Sequence, residues 1–304
     1  MEAPRSRSLF ALQDLQAAIP SIRQNPDFQA AFRTAMADVV RLYEGNRLLN
    51  TVVNDRGRFV VGHMSLYQHF FGTADDPVPG LMVSRMKKLC VDQSICSPGR
   101  VETMLILMRL FGYLELAPAT GDRRRRLLVP TEKMLAAQRA RWEIQVRAMA
   151  PILPAGARAL EALHHPDFLP AMICQLGDHF LAGLRIAELV PEAGLFFERN
   201  AGITIMFSLL LAGPAGAGIA RDAPVAISIT VLSRQFGVSR AHVRKLLQDA
   251  ASQNYIARTD DDEGHILLLP PIRDAAEGFV AAGFFFLAHC APAAMEEIAR
   301  KRVA

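Results

Sequence analysis

Residues 229–247 read ITVLSRQFGVSRAHVRKLL, which is the order of features that a helix-turn-helix requires. Gly237 follows a short segment with one apolar face and supplies the turn, because glycine adopts positive φ without steric cost. Ser239 then stands where a hydroxyl would cap a second helix. Apolar residues recur at helical spacing on one side of each segment. They are Leu232 and Phe236 in the first segment, and Val243, Leu246 and Leu247 in the second.

The opposite side of the second segment carries basic and polar side chains close to its N-terminal end. In helix-turn-helix proteins, this end of the second helix contacts base edges and phosphates in the major groove. The sequence therefore predicts a DNA-contacting set on this helix. Its members are Ser239, Arg240, His242, Arg244 and Lys245.

Two short apolar runs, 255–258 and 266–269, follow the predicted helices and flank a polar tip at 260–264 that contains a glycine. Apolar runs around such a tip predict a β-hairpin. A helix-turn-helix followed by a hairpin is a winged helix, in which the hairpin is the wing. The alternative is an unrelated helical domain that carries a hairpin.

The chain contains an internal repeat. The segment Asn25-Pro26-Asp27-Phe28 returns as His165-Pro166-Asp167-Phe168, at a shift of 140. A nearly constant register over about a hundred residues favours a tandem duplication. The alternative is that two helical domains of similar size align by their apolar period alone. Other pairs at a shift of 140 are Ala31 and Ala171, Asp38 and Asp178, Leu49 and Leu189, Gly62 and Gly202, and Pro130 and Pro270; at a shift of 142 they are Ser97 and Ser239, Val101 and Val243, Leu105 and Leu247, and Tyr113 and Tyr255.

The first copy has the same predicted order of elements as the second. Helices are predicted over 81–89 and 97–111, and a hairpin is predicted from the runs 113–116 and 127–129. The turn between the helices, 90–96, is longer than its counterpart and lacks a glycine. The first copy is therefore expected to be a winged helix with a modified turn.

The predicted wing of the first copy has a strongly basic tip, in which Arg123, Arg124, Arg125 and Arg126 follow one another. Such a charge run is usually a solvated face, but at the tip of a wing it can reach phosphates or the minor groove. We predict that these four arginines contact DNA. On the second helix of this copy, the predicted contacts are Ser97, Arg100 and Thr103.

The segment 122–134, DRRRRLLVPTEKM, resembles the wing and following helix of MarR-type transcriptional regulators. In that family an Asp-Arg-rich tip leads through a strand to a Leu-Thr-x-x-Gly helix start. The resemblance implies winged-helix subunits that dimerise through their terminal helices and bind double-stranded DNA. It also implies a small-molecule effector pocket between the winged helix and the pairing helices. Asp122, Arg123, Arg124, Thr131 and Glu132 fit the pattern, whereas Pro130 and Met134 depart from it.

We therefore expect a mainly α fold with small β-hairpin wings, arranged as a tandem winged helix-turn-helix pseudo-dimer. The first copy is expected to span 1–150, with its winged helix at about 62–130. The second is expected to span 151–304, with its winged helix at about 202–270. The flanking helices would pair the copies. The chain would act as a monomeric pseudo-dimer or as a homodimer.

Two long apolar stretches, 201–220 and 278–295, approach the length of a membrane span. The first is interrupted by a glycine- and proline-rich segment, and the second contains His289 and Pro292. We predict that neither crosses a membrane. The second is expected to be a pairing helix that buries its aromatic side chains between the copies. These are Phe279, Phe284, Phe285 and Phe286.

The length of 304 residues, with 51% apolar and 21% charged residues, is typical of a globular chain of about two domains. The four scattered cysteines predict neither a disulfide scaffold nor a zinc knuckle, and no signal-peptide pattern is found, which favours the cytoplasm. The net charge is +7 over 1–150 and −3 over 151–304. The first copy is therefore better suited to a polyanionic partner.

The sequence contains no motif of a hydrolase, a phosphate-binding loop, a dinucleotide-binding fold or a metal site. We therefore expect no enzymatic activity, catalytic residue, metal or cofactor. The leading interpretation is a DNA-binding transcriptional regulator that acts as a repressor. The alternatives are a winged-helix module that binds protein partners and a tandem winged-helix replication initiator. The acidic tip 260–263 favours a protein partner for the second copy.

Overall fold

The computed structural model describes residues 12–46, 49–50, 55–71, 80–118, 127–213, 224–259 and 264–303. The chain is mainly helical, at 72% helix, with small antiparallel sheets, so the mainly α class is confirmed. Its apolar side chains form a single core that runs through both halves of the chain.

The first half consists of six helices and a two-stranded hairpin within the described residues. In chain order its elements are α1 (Leu12–Gln24), α2 (Phe28–Tyr43), α3 (Arg56–Phe70), α4 (Val83–Asp92), α5 (Pro98–Leu110), β1 (Leu114–Leu116), β2 (Leu128–Pro130) and α6 (Glu132–Met149).

The second half has further short helices and a longer final helix. Its elements are α7 (Pro154–Ala162), α8 (Phe168–Leu181), α9 (Ile186–Leu189), a 3₁₀ helix (Pro191–Ala193), α10 (Gly194–Phe197), α11 (Gly202–Ala212), β3 (Val225–Ala226), α12 (Ile229–Phe236), α13 (Arg240–Ser252), β4 (Ile256–Arg258), β5 (His265–Leu268) and α14 (Pro270–Val303).

The helix-to-strand connections of the two halves share backbone geometry at the shift of 142 residues. After α5, Gly112 has a φ of 71°, and after α13, Asn254 has a φ of 58°. The next residues, Tyr113 and Tyr255, each donate a backbone hydrogen bond to the helix, to Met108 and Ala250 respectively. The repeated sequence therefore forms the same local structure in both halves.

The turn that precedes α5 closes in the same way as the turn before α13, although it lacks a glycine. Ser94 takes the left-handed conformation, with a φ of 51°, where the second half has Gly237 at 67°. In both turns the next residue bonds back to the preceding helix, from Ile95 to Cys90 at 2.8 Å and from Val238 to Ser233 at 3.1 Å. A serine in this conformation is strained relative to glycine, but it preserves the turn.

The hairpins are antiparallel in both halves. In the first, Glu115 pairs with Val129, and an isolated bridge joins Leu81 to Leu128. In the second, the strand order is β3-β5-β4, with Ala257 paired to Leu267. Among the described residues, a third strand is therefore present only in the second half.

The contacts between the halves have the pattern of a two-fold axis. Helix α2 packs on α11 while α8 packs on α3, and α1 packs on α14 while α7 packs on α6. If each helix is replaced by its equivalent in the other half, the first contact of each pair becomes the second. This is the pattern that an isologous dimer shows between its subunits.

A buried carboxylate reinforces the contact between α14 and the first half. Glu277 accepts hydrogen bonds from Arg23 at 2.8 Å, from Gln29 at 3.0 Å and from Arg273 at 2.7 Å. Burial alone would raise the pKa of Glu277, but these hydrogen bonds hold it below its ordinary value. The carboxylate therefore remains charged and ties α1 and α2 to α14.

The C-terminal helix is packed into the molecule, as the sequence predicted. Phe284 and Phe286 are buried, and Phe279 and Phe285 are partly buried. By length and composition, 270–300 could cross a membrane, but 56% of its most apolar window is buried. The bent pair Pro191–Phe197 and Gly202–Ala212 meets the same test as one span broken at 106°.

We expect Gly177→Ala to lower the free energy of unfolding by about 1–3 kcal/mol, because it overpacks the contact between α8 and α3. A Cβ at Gly177 would lie 2.1 Å from the ring of Tyr67, whose hydroxyl donates to Asp178 at 2.6 Å. Gly62→Ala is the control, since a Cβ there has no heavy atom within 4 Å. It should raise stability by up to about 1 kcal/mol. Equal effects of both substitutions in urea unfolding would contradict this packing.

Candidate nucleic-acid interface

Helix α13 is anchored on one side and open to solvent on the other. The Ser239 hydroxyl caps the helix by accepting from the backbone N–H of His242 at 3.1 Å, as predicted. Its apolar side chains lie in the core, whereas those of Arg240, Arg244 and Lys245 are exposed. The buried set is Val243, Leu246, Leu247 and Ala250.

Two of these exposed cations have no partner within the part of the chain that the structure describes. Lys245 pairs with Asp249, one turn later, at 2.8 Å. Arg240 and Arg244 form no side-chain hydrogen bond or ion pair with any described residue. No described carboxylate therefore neutralises either guanidinium group.

His242 differs from its neighbours, because its ring contacts the protein. Its Nε2 lies 2.8 Å from the carbonyl oxygen of Asn200, just before α11. The side chain is half-buried. In this position His242 holds α13 against the rest of the second half.

In the first half, the predicted contact residues on α5 are largely engaged within the protein. Ser97 caps the helix, with its hydroxyl 3.4 Å from the backbone nitrogen of Arg100. The guanidinium of Arg100 bonds both carboxylate oxygens of Asp55, at 3.1 and 3.2 Å. The Thr103 hydroxyl donates to the Gly99 carbonyl at 3.0 Å. All three side chains are on the exposed surface, but none is without a partner.

The exposed face of α5 is also less basic than that of α13. Ile106 is 56% exposed and Leu110 is 74% exposed, and at a shift of 142 their counterparts in α13 are Gln248 and Ser252. Glu102 stands where α13 has Arg244, and it pairs with Lys87 at 2.6 Å. The aligned repeats carry a sequence signal for this difference, because Glu102, Ile106 and Leu110 stand opposite Arg244, Gln248 and Ser252.

Both predicted wing tips lie outside the described residues. These are Arg123, Arg124, Arg125 and Arg126 in the first half and 260–263 in the second. The strands below them are described, and Arg258 is exposed at the base of the second hairpin. The placement of the four arginines therefore remains a prediction.

Polar contacts connect both helices to the junction between the halves. Asp55, which binds Arg100, also caps α3 by accepting from the backbone N–H of Arg58 at 2.9 Å. Across the junction, Arg58 donates to the Asn200 side chain at 3.2 Å. Arg199, next to Asn200, pairs with Asp249 of α13 at 2.9 Å. The orientation of both helices therefore depends on this junction.

Cys90 and Cys96, beside the turn that precedes α5, are in contact with each other. Their thiols are hydrogen-bonded, and burial raises the pKa of Cys90 to about 12. The Cys90 thiol therefore stays protonated at neutral pH, which makes it a poor nucleophile. No group of three or more histidine, cysteine or carboxylate side chains suited to a metal ion occurs in the described ranges.

His63, on α3, is a buried titratable group at the junction. Burial, together with the positive charge of Arg141, lowers the pKa of His63 to about 4. Its ring also bonds the backbone of Ile173 in the second half. His63 is therefore neutral at pH 7.

We expect acid to destabilise the protein through His63. The pKa of histidine in an unfolded chain is about 6.5. Between pH 6.5 and 4, the unfolded state therefore binds a proton at His63 that the folded state does not bind. This contribution is fully present above pH 6.5 and is lost as the pH falls toward 4, amounting to about 3 kcal/mol. Unfolding of His63→Gln should be less pH-dependent over this range; identical profiles for the two proteins would contradict the assignment.

Comparison of the chain with protein-family models, with curated proteins and with solved structures finds no match. Function must therefore be inferred from the residues and their geometry.

Proposed function

We propose that the chain is a DNA-binding transcriptional regulator, built as a MarR-like tandem winged-helix pseudo-dimer and acting as a repressor. The observation that carries the proposal is the pair Arg240 and Arg244, exposed and unpaired within the described chain on a capped, well-anchored helix. Arginines at this end of a recognition helix can bind guanine edges or phosphates.

The pattern of contacts between the halves supports the pseudo-dimer. In a symmetric dimer of helix-turn-helix subunits, two recognition helices enter successive major grooves about 34–36 Å apart. Helices α5 and α13 occupy equivalent places in the two repeats, and each is tied to the same junction. One chain would therefore contact two half-sites.

The two half-sites would be read unequally. Helix α13 presents two arginines that pair with no described residue, whereas α5 presents Ile106 and Leu110 and engages Arg100 with Asp55. We therefore assign most base readout to α13. The basic tip of the first wing, 123–126, would supply phosphate contacts that strengthen binding to every sequence.

A protein-binding module is the second candidate, and one observation favours it. Ile106, Leu110 and Leu116 of the first half are large apolar side chains that are at least 49% exposed. Exposed apolar side chains are typical of protein-interaction surfaces when they form one patch. Under this alternative the first winged helix would bind a protein instead of DNA.

Fluorescence anisotropy with a labelled duplex of about three helical turns tests the proposal. We expect binding whose logarithmic affinity falls linearly with the logarithm of salt concentration between about 50 and 200 mM, because bound cations release phosphate counterions. A protein that fails to bind the duplex at the lower salt concentration would refute the proposal and favour the protein-binding module.

A further inference from the structure

A cavity of about 280 Å³ lies between the two halves. This central cavity is bounded by α2, α3 and α6 from the first half and by α8 to α11 and α14 from the second. Its volume is close to the lower end of the range found for small-molecule sites. The wall is largely apolar, with aromatic side chains that include Phe59, Trp142, Phe180, Phe196, Phe207 and Phe286.

Arg141 brings a positive charge to this apolar wall without a carboxylate partner among the described residues. Its guanidinium stacks over Phe59 at 4.2 Å, and it donates to the side chains of Gln138, at 3.1 Å, and Tyr43. All of these partners are uncharged. Burial lowers the pKa of Arg141, whereas the hydrogen bond to Tyr43 acts to raise it.

Arg185, from the second half, is the other cation of the wall that forms no ion pair with a described residue. It stacks over Phe180 at 3.6 Å and donates to the carbonyl of Phe180 and to the side chain of Gln93 at 2.7 Å. Burial also lowers its pKa, although the negative charge of Glu188 acts in the opposite direction.

The other charged groups of the wall are paired. Arg56 pairs with Glu198 at 2.6 Å, and Arg199 pairs with Asp249 at 2.9 Å. Asp55 is shared by two arginines of the first half, Arg58 and Arg100. The wall therefore carries an excess of positive charge.

A buried polar atom at the wall also lacks a partner. His63 lines the central cavity and a smaller neighbouring one of about 40 Å³. Its ring bonds the backbone of Ile173, but Nε2 is buried with no hydrogen-bond partner. With Nδ1 as the donor, Nε2 of the neutral ring is an acceptor, so an anion in the cavity would bind to the arginines and not to His63.

We propose that the central cavity binds an organic anion with an apolar body, a hydrocarbon carboxylate, whose carboxylate pairs with Arg141 and is attracted by Arg185. The apolar body would replace the empty volume between the aromatic side chains. The carboxylate would supply the counter-charge that the wall lacks.

The site is also placed to influence both helices, an extension that rests on the proposed function. Arg185 holds Gln93 in the turn before α5, and Asp55 holds Arg100 on α5. Arg199 holds Asp249 on α13. A carboxylate that draws Arg185 toward the cavity would compete with the contact to Gln93. Ligand binding should therefore change the affinity for DNA.

Calorimetry with decanoate, and with decanol as its uncharged counterpart, tests the site directly. We expect saturable decanoate binding to the full chain at one site, and at least tenfold weaker binding to Arg141→Met. Decanol binding should be unchanged by that substitution. Arg147→Met is the matched control, since Arg147 is an exposed arginine on the same helix. Equal decanoate affinity for wild type and Arg141→Met, or no binding to wild type, would overturn the proposal.

A second variant keeps the test valid if Arg141→Met fails to fold. Gly283 lines the cavity, and a Cβ there would meet only the Gln145 side chain, at 3.9 Å. The side chain of Gly283→Leu should fill part of the cavity and reduce the affinities for decanoate and decanol alike, with the fold intact by circular dichroism. Unchanged affinity for both ligands in a folded Gly283→Leu protein would place the ligand elsewhere.

Measuring duplex affinity with and without decanoate distinguishes a failure of the ligand site from a failure of the proposed function. Duplex affinity that changes with decanoate in wild type, but not in Arg141→Met, supports the coupling. Decanoate binding by a protein that binds no duplex would keep the site and refute the regulator. Duplex binding by a protein that binds no decanoate would refute the ligand site and keep the proposed function.

Discussion

Phe284→Ala is expected to lower the free energy of unfolding by about 3–5 kcal/mol, the cost of truncating a fully buried phenylalanine. Phe284 is 0% exposed on α14, the helix that packs on α1 of the first half and on α7 and α8 of the second. The truncation would leave a cavity in the core against which α14 packs. Urea unfolding measures the loss.

Phe285→Ala provides a control one residue away. Phe285 is only partly buried, and its ring stacks against His289 at 6.2 Å. We expect a smaller loss, because less apolar surface leaves water when this side chain packs. A loss from Phe285→Ala as large as that from Phe284→Ala would contradict the orientation of α14.

The double variant Arg240→Ala/Arg244→Ala should weaken binding to a preferred duplex by about 2–6 kcal/mol, since each base contact by arginine contributes about 1–3 kcal/mol. Neither arginine has an internal partner among the described residues, so the fold should not depend on them. If either one binds a phosphate instead, the loss extends to all sequences and the salt slope falls by about one. Anisotropy titrations at several salt concentrations distinguish the two cases.

The control for this pair removes the same number of charges elsewhere. Arg147 and Arg158 are exposed arginines on α6 and α7. Arg147→Ala/Arg158→Ala should have a much smaller effect on duplex affinity, because neither side chain lies on a proposed recognition helix. Equal weakening by both double variants would indicate a nonspecific charge effect and remove α13 from the interface.

The elements of the second winged helix were predictable because their signals are local. Gly237 and Ser239 mark the turn and the cap, and the structure places helices at Ile229–Phe236 and Arg240–Ser252 around them. The hairpin 255–258 and 266–269 was predicted within one residue at its ends. The long final helix followed from apolar composition, which also predicted its burial.

The features that the sequence analysis missed depend on residues far apart in the chain. Arg100 was predicted to face DNA, but Asp55, 45 residues earlier, accepts two hydrogen bonds from it. His242 contacts Asn200, 42 residues away. The central cavity combines Arg141 and Arg185 from different halves, and neither has a motif around it. Such contacts arise only when the halves pack.

The first half shows how far the repeat can guide prediction. Its turn was expected to differ because it lacks glycine, yet Ser94 adopts the required left-handed conformation. The repeat predicted the positions of α5 and α13 but not the character of their exposed faces. Those faces differ because packing constrains only the buried positions, which leaves solvent-facing positions such as Ile106 and Gln248 free to diverge.

Selection of bound fragments from a random duplex pool, followed by footprinting of the selected duplex, tests the central claim most directly. If α5 and α13 both bind DNA as recognition helices, a common sequence should be enriched. The same arrangement also predicts protection at two half-sites about 34–36 Å apart on one face of the duplex, with stronger sequence preference in one of them. A pool that yields no enriched sequence, or protection of a single short segment, would contradict the account.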